Sequence, residues 1–399
     1  MPKMIPFGKG TRGLLLWSII PAAFIGPGTV TTCARAGADF GTALLWALTF
    51  SVLATMVLQE AAARITIASG KTLGQVVAAR FGQGPARWLR VALFGAVALG
   101  CTAYQAGNLL GAVAGLQLIS SVPTAWWLLL IGTLATALLW SGSTRLLTSV
   151  LAVVVFFMGI AFVVAGVQAP VTLTEVLKGA LVPTIPSGGA LLVIGLVGTT
   201  VVPYNLFLGS GLGRGQQMAE MRMGLLAAIA IGGFISACIL LTGLQVEGAF
   251  TFEGLGLALE ARLGSGTSKL FALGLMAAGL SSAITAPFAA AITGQTLLGD
   301  AADGWKTTGR HFRTTWLVVL GAGWLFALTG VKPIPAIVAA QAANGFLLPF
   351  VAVFLWLVVN DRRLMPPAYR NGWKANVLMG VVVAVVTLLG AYNLWKAFT

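Results

Sequence analysis

Two short stretches interrupt long apolar segments of the chain, and both could hold a ligand through backbone groups. They read GPGT at residues 26–29 and VPYN at residues 202–205. Because proline lacks an amide donor, each stretch is expected to break a membrane helix near its middle. An unpaired backbone polar group in lipid costs several kcal/mol, so a break at that depth indicates a binding site. Neither stretch carries a charge, so such a site would use neutral groups.

The composition is that of a polytopic membrane protein. Of the 399 residues, 58% are hydrophobic and 9% are charged, with a mean hydropathy of +0.94, whereas soluble domains carry roughly 25% charged residues. We predict about eleven apolar spans, each near the ~20 residues that cross the hydrocarbon. They lie at residues 13–36, 42–67, 88–118, 124–141, 146–168, 188–212, 222–246, 268–298, 314–331, 334–359 and 375–397.

The two breaks fall in the first and sixth spans, which are equivalent places if the chain consists of two halves. We therefore predict a single all-α transporter domain, with repeat one at about 13–168, repeat two at about 188–359 and an extra helix at about 375–397. Broken helices in matching positions indicate an inverted-repeat secondary transporter whose substrate binds near mid-membrane. The alternative is a pair of proline kinks without a binding role, since proline is common in membrane helices.

The net charge of +14 follows from how the basic residues are distributed along the spans. A cytoplasmic N-terminus places 18 of the 24 lysines and arginines on the inner side: Lys3, Lys9, Arg12, Arg64, Lys71, Arg80, Arg87, Arg90, Arg145, Arg214, Arg222, Lys306, Arg310, Arg313, Arg362, Arg363, Arg370 and Lys374. This is the positive-inside pattern. It predicts a multi-pass protein of the cell (inner) membrane, surrounded by lipid, and needs no nucleic-acid partner.

The sequence offers no sign of an enzyme or a cofactor site. There is one histidine, His311, in a polar loop, and no candidate nucleophile lies near it. No GxxxxGK[ST] motif is present to bind a nucleotide. The cysteines at positions 33, 101 and 238 all lie in apolar segments. We expect them to be packing residues, with no resident metal and no cofactor.

Three further stretches carry a resemblance to a known family. They are AGADFGTALLWALTFSVLATMVLQEAAARITIASGKTL at 36–73, AAGLSSAITAPFAAAITGQ at 277–295 and AAQAANGFLLPFVAVFLWLVVNDRRLM at 339–365. Together with the two breaks they resemble the Nramp family of metal-ion transporters over nearly the whole chain. The resemblance implies the LeuT-type fold, in which helices 1 and 6 are broken.

The chain departs from that family at the breaks themselves. The family reads Asp-Pro-Gly-Asn and Met-Pro-His-Asn, so its carboxylate, amide and thioether ligands correspond here to Gly26, Thr29 and Val202. By the same resemblance, the remaining oxygen ligands would be the backbone carbonyls of Ala23 and Thr199, the hydroxyls of Thr29 and Thr200, and the side-chain amide of Gln341.

The first substrate hypothesis is a metal ion complexed by a small organic acid such as citrate, or the acid itself. A bare divalent ion buried without a compensating anion would be very costly. Arg35, six residues beyond Thr29, could grip a carboxylate, and Tyr204 and Asn205 would add neutral donors. Arg35 could instead extend to the membrane interface or pair with Asp39 at i+4.

Two other hypotheses stay open. The second is a hydrated divalent cation, Mg²⁺ or Mn²⁺, with magnesium favoured because it dehydrates reluctantly and accepts oxygen ligands together with retained waters. The third is a sensor or partner subunit that keeps the fold but transports nothing.

Candidates for coupling to protons are few. The family carries proton-linked acidic groups in its third helix, where Gln105 and Asn108 correspond here, and a histidine where this chain has Gly209. The clear acid within the membrane is Glu60, an intramembrane ionisable group and hence a functional candidate. Arg64 follows it at i+4 and favours a structural ion pair. Proton coupling therefore stays open.

Overall fold

A computed structural model describes residues 25–81, 87–142, 145–299 and 303–398, and the described chain is helical throughout. Two 3-10 turns, Asp303–Trp305 and Pro367–Tyr369, accompany the α-helices. The helices are α1 Pro27–Phe40, α2 Leu45–Ser69, α3 Leu73–Arg80, α4 Arg87–Gln117, α5 Thr124–Ser141, α6 Arg145–Val167, α7 Leu173–Leu181, α8 Ala190–Thr200, α9 Pro203–Leu212, α10 Met218–Gly243, α11 Phe252–Leu263, α12 Thr267–Leu298, α13 Arg310–Leu328, α14 Pro333–Asn360 and α15 Trp373–Phe398.

The helices α1 and α9 begin with the same local construction. Helix α1 begins at Pro27 after Gly26, which is extended (φ −82°, ψ 166°). Helix α8 ends at Thr200, and α9 begins at Pro203 after the extended Val202 (φ −80°, ψ 123°). A residue before proline is driven out of the helical region, and proline fits the first position of a new helix because it has no amide to satisfy. The predicted break of the sixth span is thus confirmed.

The remaining spans follow the prediction closely. Within the described ranges, nine segments are long and apolar enough to cross a membrane, and the α8–α9 pair is one of them. The predicted first span is described only from residue 25, as α1, and the predicted ninth span corresponds to α13. The all-α fold class is confirmed, whereas the division into repeats stays a prediction. Ala23 lies outside the described residues.

Helix α1 lies inside the bundle, against α4, α8, α10 and α14. Its contact with α10 is made backbone to backbone. A Cβ on Gly37 would lie 1.9 Å from the Leu240 carbonyl oxygen, and one on Gly243 would lie 2.0 Å from the Ala34 carbonyl oxygen. Close approach through small residues is how membrane helices pack. The glycines therefore allow the second half of α1 to pack closely against α10.

Candidate functional site

The ends of the two broken segments meet through a pair of hydroxyl groups. Thr29 is in the first turn of α1, and Thr199 is in the last turn of α8. Their Oγ1 atoms are 2.9 Å apart, which is a hydrogen bond, and the residues are only 1% and 2% exposed. Because the last carbonyls of α8 lack intrahelical donors, oxygen atoms concentrate at this junction.

Helix α14 contributes the third polar group, the side-chain amide of Gln341. A Cβ on Gly28 would lie 1.9 Å from Gln341 Nε2, so the amide packs directly on the backbone of α1. Gln341 Oε1 is buried and has no hydrogen-bond partner within the described part of the chain. A buried acceptor left unpaired costs about 1–3 kcal/mol. This oxygen is therefore available to a ligand.

Two further hydroxyls face Gly26, which the resemblance aligns with the family's carboxylate ligand. A Cβ on Gly26 would lie 3.5 Å from Ser282 Oγ on α12 and 3.6 Å from the Tyr104 hydroxyl on α4. The Tyr104 hydroxyl also interacts with the side chains of Gln341 and Thr199. Neither Tyr104 nor Ser282 was predicted as a site residue from the sequence. A signal was present, since both are polar residues within long apolar segments.

The other residues predicted at the second break make different contacts. The Thr200 hydroxyl donates to the Leu196 carbonyl at 3.0 Å, so it bonds back onto its own helix. Val202 caps α9 and is buried. The Tyr204 ring packs edge-on against Tyr104, with centroids 6.0 Å apart. Asn205 is half-buried in the first turn of α9. Thr199 is thus the residue of this break whose side chain reaches α1.

Arg35 does not reach the junction as a free cation. Its Nε donates to Asp39 Oδ2 at 3.1 Å, and the two side chains are 34% and 31% exposed. Six residues of helix separate Arg35 from Thr29, which is about 9 Å along the axis. The i+4 pairing considered as the alternative is the arrangement present. The expectation that Arg35 grips a carboxylate at the break is not supported by this placement.

Glu60 is part of an ion-pair network in the second half of α2. Its carboxylate accepts hydrogen bonds from Arg64 Nε at 3.0 Å and from Arg222 Nε at 2.9 Å. Both carboxylate oxygens therefore have a cationic partner. This is the structural ion pair that the i+4 spacing of Glu60 and Arg64 favoured. A role in coupling is not supported by this arrangement.

The positions that the resemblance aligns with the family's proton-linked acids and with its histidine hold groups that carry no charge. Gln105 Nε2 donates to the Ala283 carbonyl at 3.1 Å, which places Gln105 against α12. Asn108 is buried, and its Nδ2 lacks a partner in the region described. A Cβ on Gly209 would lie 2.3 Å from Gln59 Oε1, so the Gln59 amide occupies the space beside Gly209. None of these groups titrates near neutral pH.

The junction can therefore bind through oxygen atoms without contributing a formal charge. Among the described residues, no group of three or more His, Cys, Asp or Glu side chains could hold a metal ion. Hydroxyl, amide and carbonyl oxygens suit hard cations such as Mg²⁺ and Ca²⁺. A soft transition metal would find no thioether at Val202, and a harder divalent ion would find no carboxylate at Gly26.

Comparison with known proteins decides the family. A profile described as natural resistance-associated macrophage protein-like (Nramp) matches residues 18–396. The chain belongs to the Nramp family. Among its relatives in that family, the divalent metal cation transporter MntH of Deinococcus radiodurans is 28% identical, with 95% of this chain and 88% of that protein covered. The MntH of Klebsiella pneumoniae (strain MGH 78578) is 26% identical, with 92% and 90% covered.

Solved structures show the Nramp architecture for this chain. A crystal structure of a point mutant of the Eremococcus coleocola manganese transporter matches with a TM-score of 0.76 at 20% identity, covering 98% of this chain and 88% of that one. The inward-facing conformation of Mhp1 matches with a TM-score of 0.59 at 16% identity, covering 96% and 90%. These likenesses confirm the LeuT-type fold predicted from the sequence.

Proposed function

We propose that this protein is a secondary membrane transporter for a divalent cation that keeps most of its hydration shell, and that Mg²⁺ is the ion of best fit. The observation that carries the proposal is the Thr29–Thr199 hydroxyl pair, buried at the meeting point of two broken helices. It supplies oxygen ligands in the place where the family supplies a carboxylate, an amide and a thioether.

Family membership supports a divalent cation as the class of substrate. The relatives named above are divalent metal cation transporters, and one solved relative is a manganese transporter. The neutral junction supports the hydrated ion within that class. Without a carboxylate, the site cannot replace the hydration energy of a bare divalent ion. Mg²⁺ retains several waters when bound by proteins, and those waters could be held by hydroxyl and amide oxygens.

The cation would bind by replacing the hydrogen bond between the two threonines. Both hydroxyl oxygens, together with the unpaired Gln341 Oε1, would then face the ion or its waters. Carbonyls at the C-terminal end of α8 add the negative end of the helix dipole. Unwound carbonyls and half-helix C-termini are the groups that coordinate cations in broken-helix transporters.

The organic-acid hypothesis has weaker support. It depended on a cation near the break, and Arg35 is paired with Asp39 at the partly exposed end of α1. A carboxylate ligand would instead meet the uncharged hydroxyls and amides of the junction. No observation favours the hypothesis of a sensor or partner subunit. Uptake measurements would distinguish such a protein from a transporter.

The test is uptake of Mg²⁺ and of radioactive Mn²⁺ into proteoliposomes, with and without citrate at equal free metal. We expect Mg²⁺ uptake that ignores citrate, and an Arg35→Gln variant that transports like the wild type. Uptake that requires citrate, entry of labelled citrate together with the metal, or loss of uptake in Arg35→Gln would favour the organic-acid hypothesis instead. No uptake of either metal would favour a sensor.

Removing the Thr199 hydroxyl should weaken cation binding while leaving the fold intact. Thr199→Val keeps the shape and deletes one oxygen, so we expect the apparent KM for Mg²⁺ to rise about threefold to tenfold. Thr200→Val is the matched control, because that hydroxyl bonds to Leu196 within its own helix. Equal changes in KM for the two variants would contradict a ligand role specific to Thr199.

Cation uptake should proceed without proton movement. By the resemblance, Gln105 and Asn108 stand in place of the family's proton-linked acids and cannot titrate near neutral pH. Glu60 is paired with two arginines. We expect a pH-sensitive dye inside proteoliposomes to report no change during Mg²⁺ uptake. Acidification of the lumen that needs both the protein and Mg²⁺ would show that protons are coupled.

A further inference from the structure

A cavity of about 380 Å³ lies away from the broken helices, between α2, α10 and the start of α15. Its polar lining includes Glu60, Arg64, Arg222 and Arg370. It lies at the end of the bundle where the sequence concentrates its basic residues, which is predicted to be the cytoplasmic end. The residues of the junction, Thr29, Thr199 and Gln341, do not line this cavity.

Arg64 is held in the wall of the cavity by hydrogen bonds. Arg64 is only 6% exposed and donates to Glu60, to the Tyr369 carbonyl at 2.6 Å and to Asn371 Oδ1 at 2.7 Å. It ties the segment before α15 to α2. Arg222, whose side chain is 58% exposed, reaches the same Glu60 carboxylate from α10. Side chains of α2 and α10 and the segment before α15 therefore form the wall of the cavity together.

The charges around the cavity do not balance. Three guanidinium groups line it together with a single carboxylate, which leaves two positive charges in excess among the lining residues. The Nε of Arg370 is buried and has no hydrogen-bond partner within the described ranges. A buried charged donor without a partner is costly. The cavity thus has the electrostatic character of a site that needs an anion.

The rest of the lining is apolar and continues onto the outer surface of α15. Met56, Val57 and Leu378 contribute to the cavity, and Leu378 is itself 50% exposed. In a membrane protein such an exposed apolar side chain faces lipid. Trp373 begins α15 with 73% exposure, which is typical of a residue at the membrane interface. The cavity therefore combines a basic end with an apolar wall at headgroup depth.

We propose that this cavity binds the phosphate group of an anionic phospholipid. Arg370 and Arg222 would contact the phosphate, Arg64 would position the segment that carries Arg370, and an acyl chain would run along Met56 and Leu378. Basic pockets between membrane helices on the cytoplasmic side are suited to anionic headgroups, and guanidinium groups bind phosphate bidentately. A lipid fits better than free phosphate because the apolar wall would otherwise stay uncovered.

The test measures lipid binding to the purified full-length protein by native mass spectrometry, supported by thermal unfolding in detergent. We expect phosphatidylglycerol to bind and to raise Tm, and phosphatidylcholine to do neither. Arg370→Gln and Arg222→Gln should each weaken phosphatidylglycerol binding about fivefold. Arg363→Gln is the matched control, because Arg363 is exposed at the same end of the bundle and does not line the cavity.

Three outcomes would overturn the proposal. They are equal binding of the anionic and zwitterionic lipids, unchanged binding in both cavity variants, and an equal loss of binding in Arg363→Gln. Inorganic phosphate that stabilises the protein as strongly and displaces phosphatidylglycerol would assign the site to a free anion. If Arg370→Gln fails to fold, the exposed Arg222→Gln variant still decides the question.

Discussion

Substituting Gly26→Asp is expected to raise the affinity for Mn²⁺ at least tenfold. The backbone at Gly26 is extended, and a Cβ there would meet Ser282 Oγ and the Tyr104 hydroxyl at ordinary contact distances of 3.5 and 3.6 Å. A carboxylate at about 4 Å would attract each unit of cation charge by roughly 4 kcal/mol at an effective dielectric constant of 20. Desolvation of the carboxylate offsets part of this, and about 1.4 kcal/mol net suffices for tenfold.

The matched control for this substitution is Gly26→Asn, which has nearly the same size and no charge. Calorimetric titration of both variants with Mn²⁺ and Mg²⁺ separates charge from shape. We expect Gly26→Asp alone to gain affinity, and its binding to weaken as the pH falls and the carboxylate is protonated. If the two variants bind Mn²⁺ equally, the missing carboxylate does not determine the affinity of this junction.

Substituting Gly198→Ala should disrupt the protein at the contact between α8 and α14. The new Cβ would lie 1.9 Å from the Gln341 carbonyl oxygen and 2.5 Å from the Gly345 amide nitrogen. Both are backbone atoms, so relief requires the helices to separate. Overpacking of this kind costs typically about 1–3 kcal/mol or more. We expect a lower Tm in detergent and little folded protein on size-exclusion chromatography.

Gly211→Ala supplies the control in the neighbouring helix α9. A Cβ at Gly211 would have no heavy atom within 4 Å, and alanine is the better helix former by about 1 kcal/mol. Its Tm should equal or slightly exceed that of the wild type. A Gly198→Ala protein that unfolds at the same temperature as Gly211→Ala would show that the α8–α14 contact is not this tight.

The breaks were predictable from the sequence because their causes are local. Proline removes an amide donor and restricts the preceding residue wherever it occurs, so Pro27 and Pro203 mark the helix starts directly. The apolar spans were predictable for a related reason, since crossing lipid requires a fixed length of apolar helix. The resemblance to the family also indicated, from the sequence, that Gly26 stands in place of a carboxylate, Thr29 in place of an amide and Val202 in place of a thioether.

The composition of the junction was less predictable, because it depends on how helices rotate against each other. Thr199 and Thr200 are adjacent in sequence, yet one hydroxyl reaches α1 and the other bonds back to Leu196. Tyr104 and Ser282 reach Gly26 only through the packing of α4 and α12 in the bundle. Neither spacing nor composition encodes these rotations.

The hydroxyl pair also affects the step in which the empty protein would return to its starting conformation after releasing its cargo. An occluded site that kept a carboxylate would bury an unpaired charge after each release, unless a proton neutralised it. Here Thr29 and Thr199 satisfy each other across the junction. On the proposed function, the unloaded protein would therefore return across the membrane without first binding a proton. If the proposed function holds, the direction of transport would then follow the concentration gradient of the cargo alone.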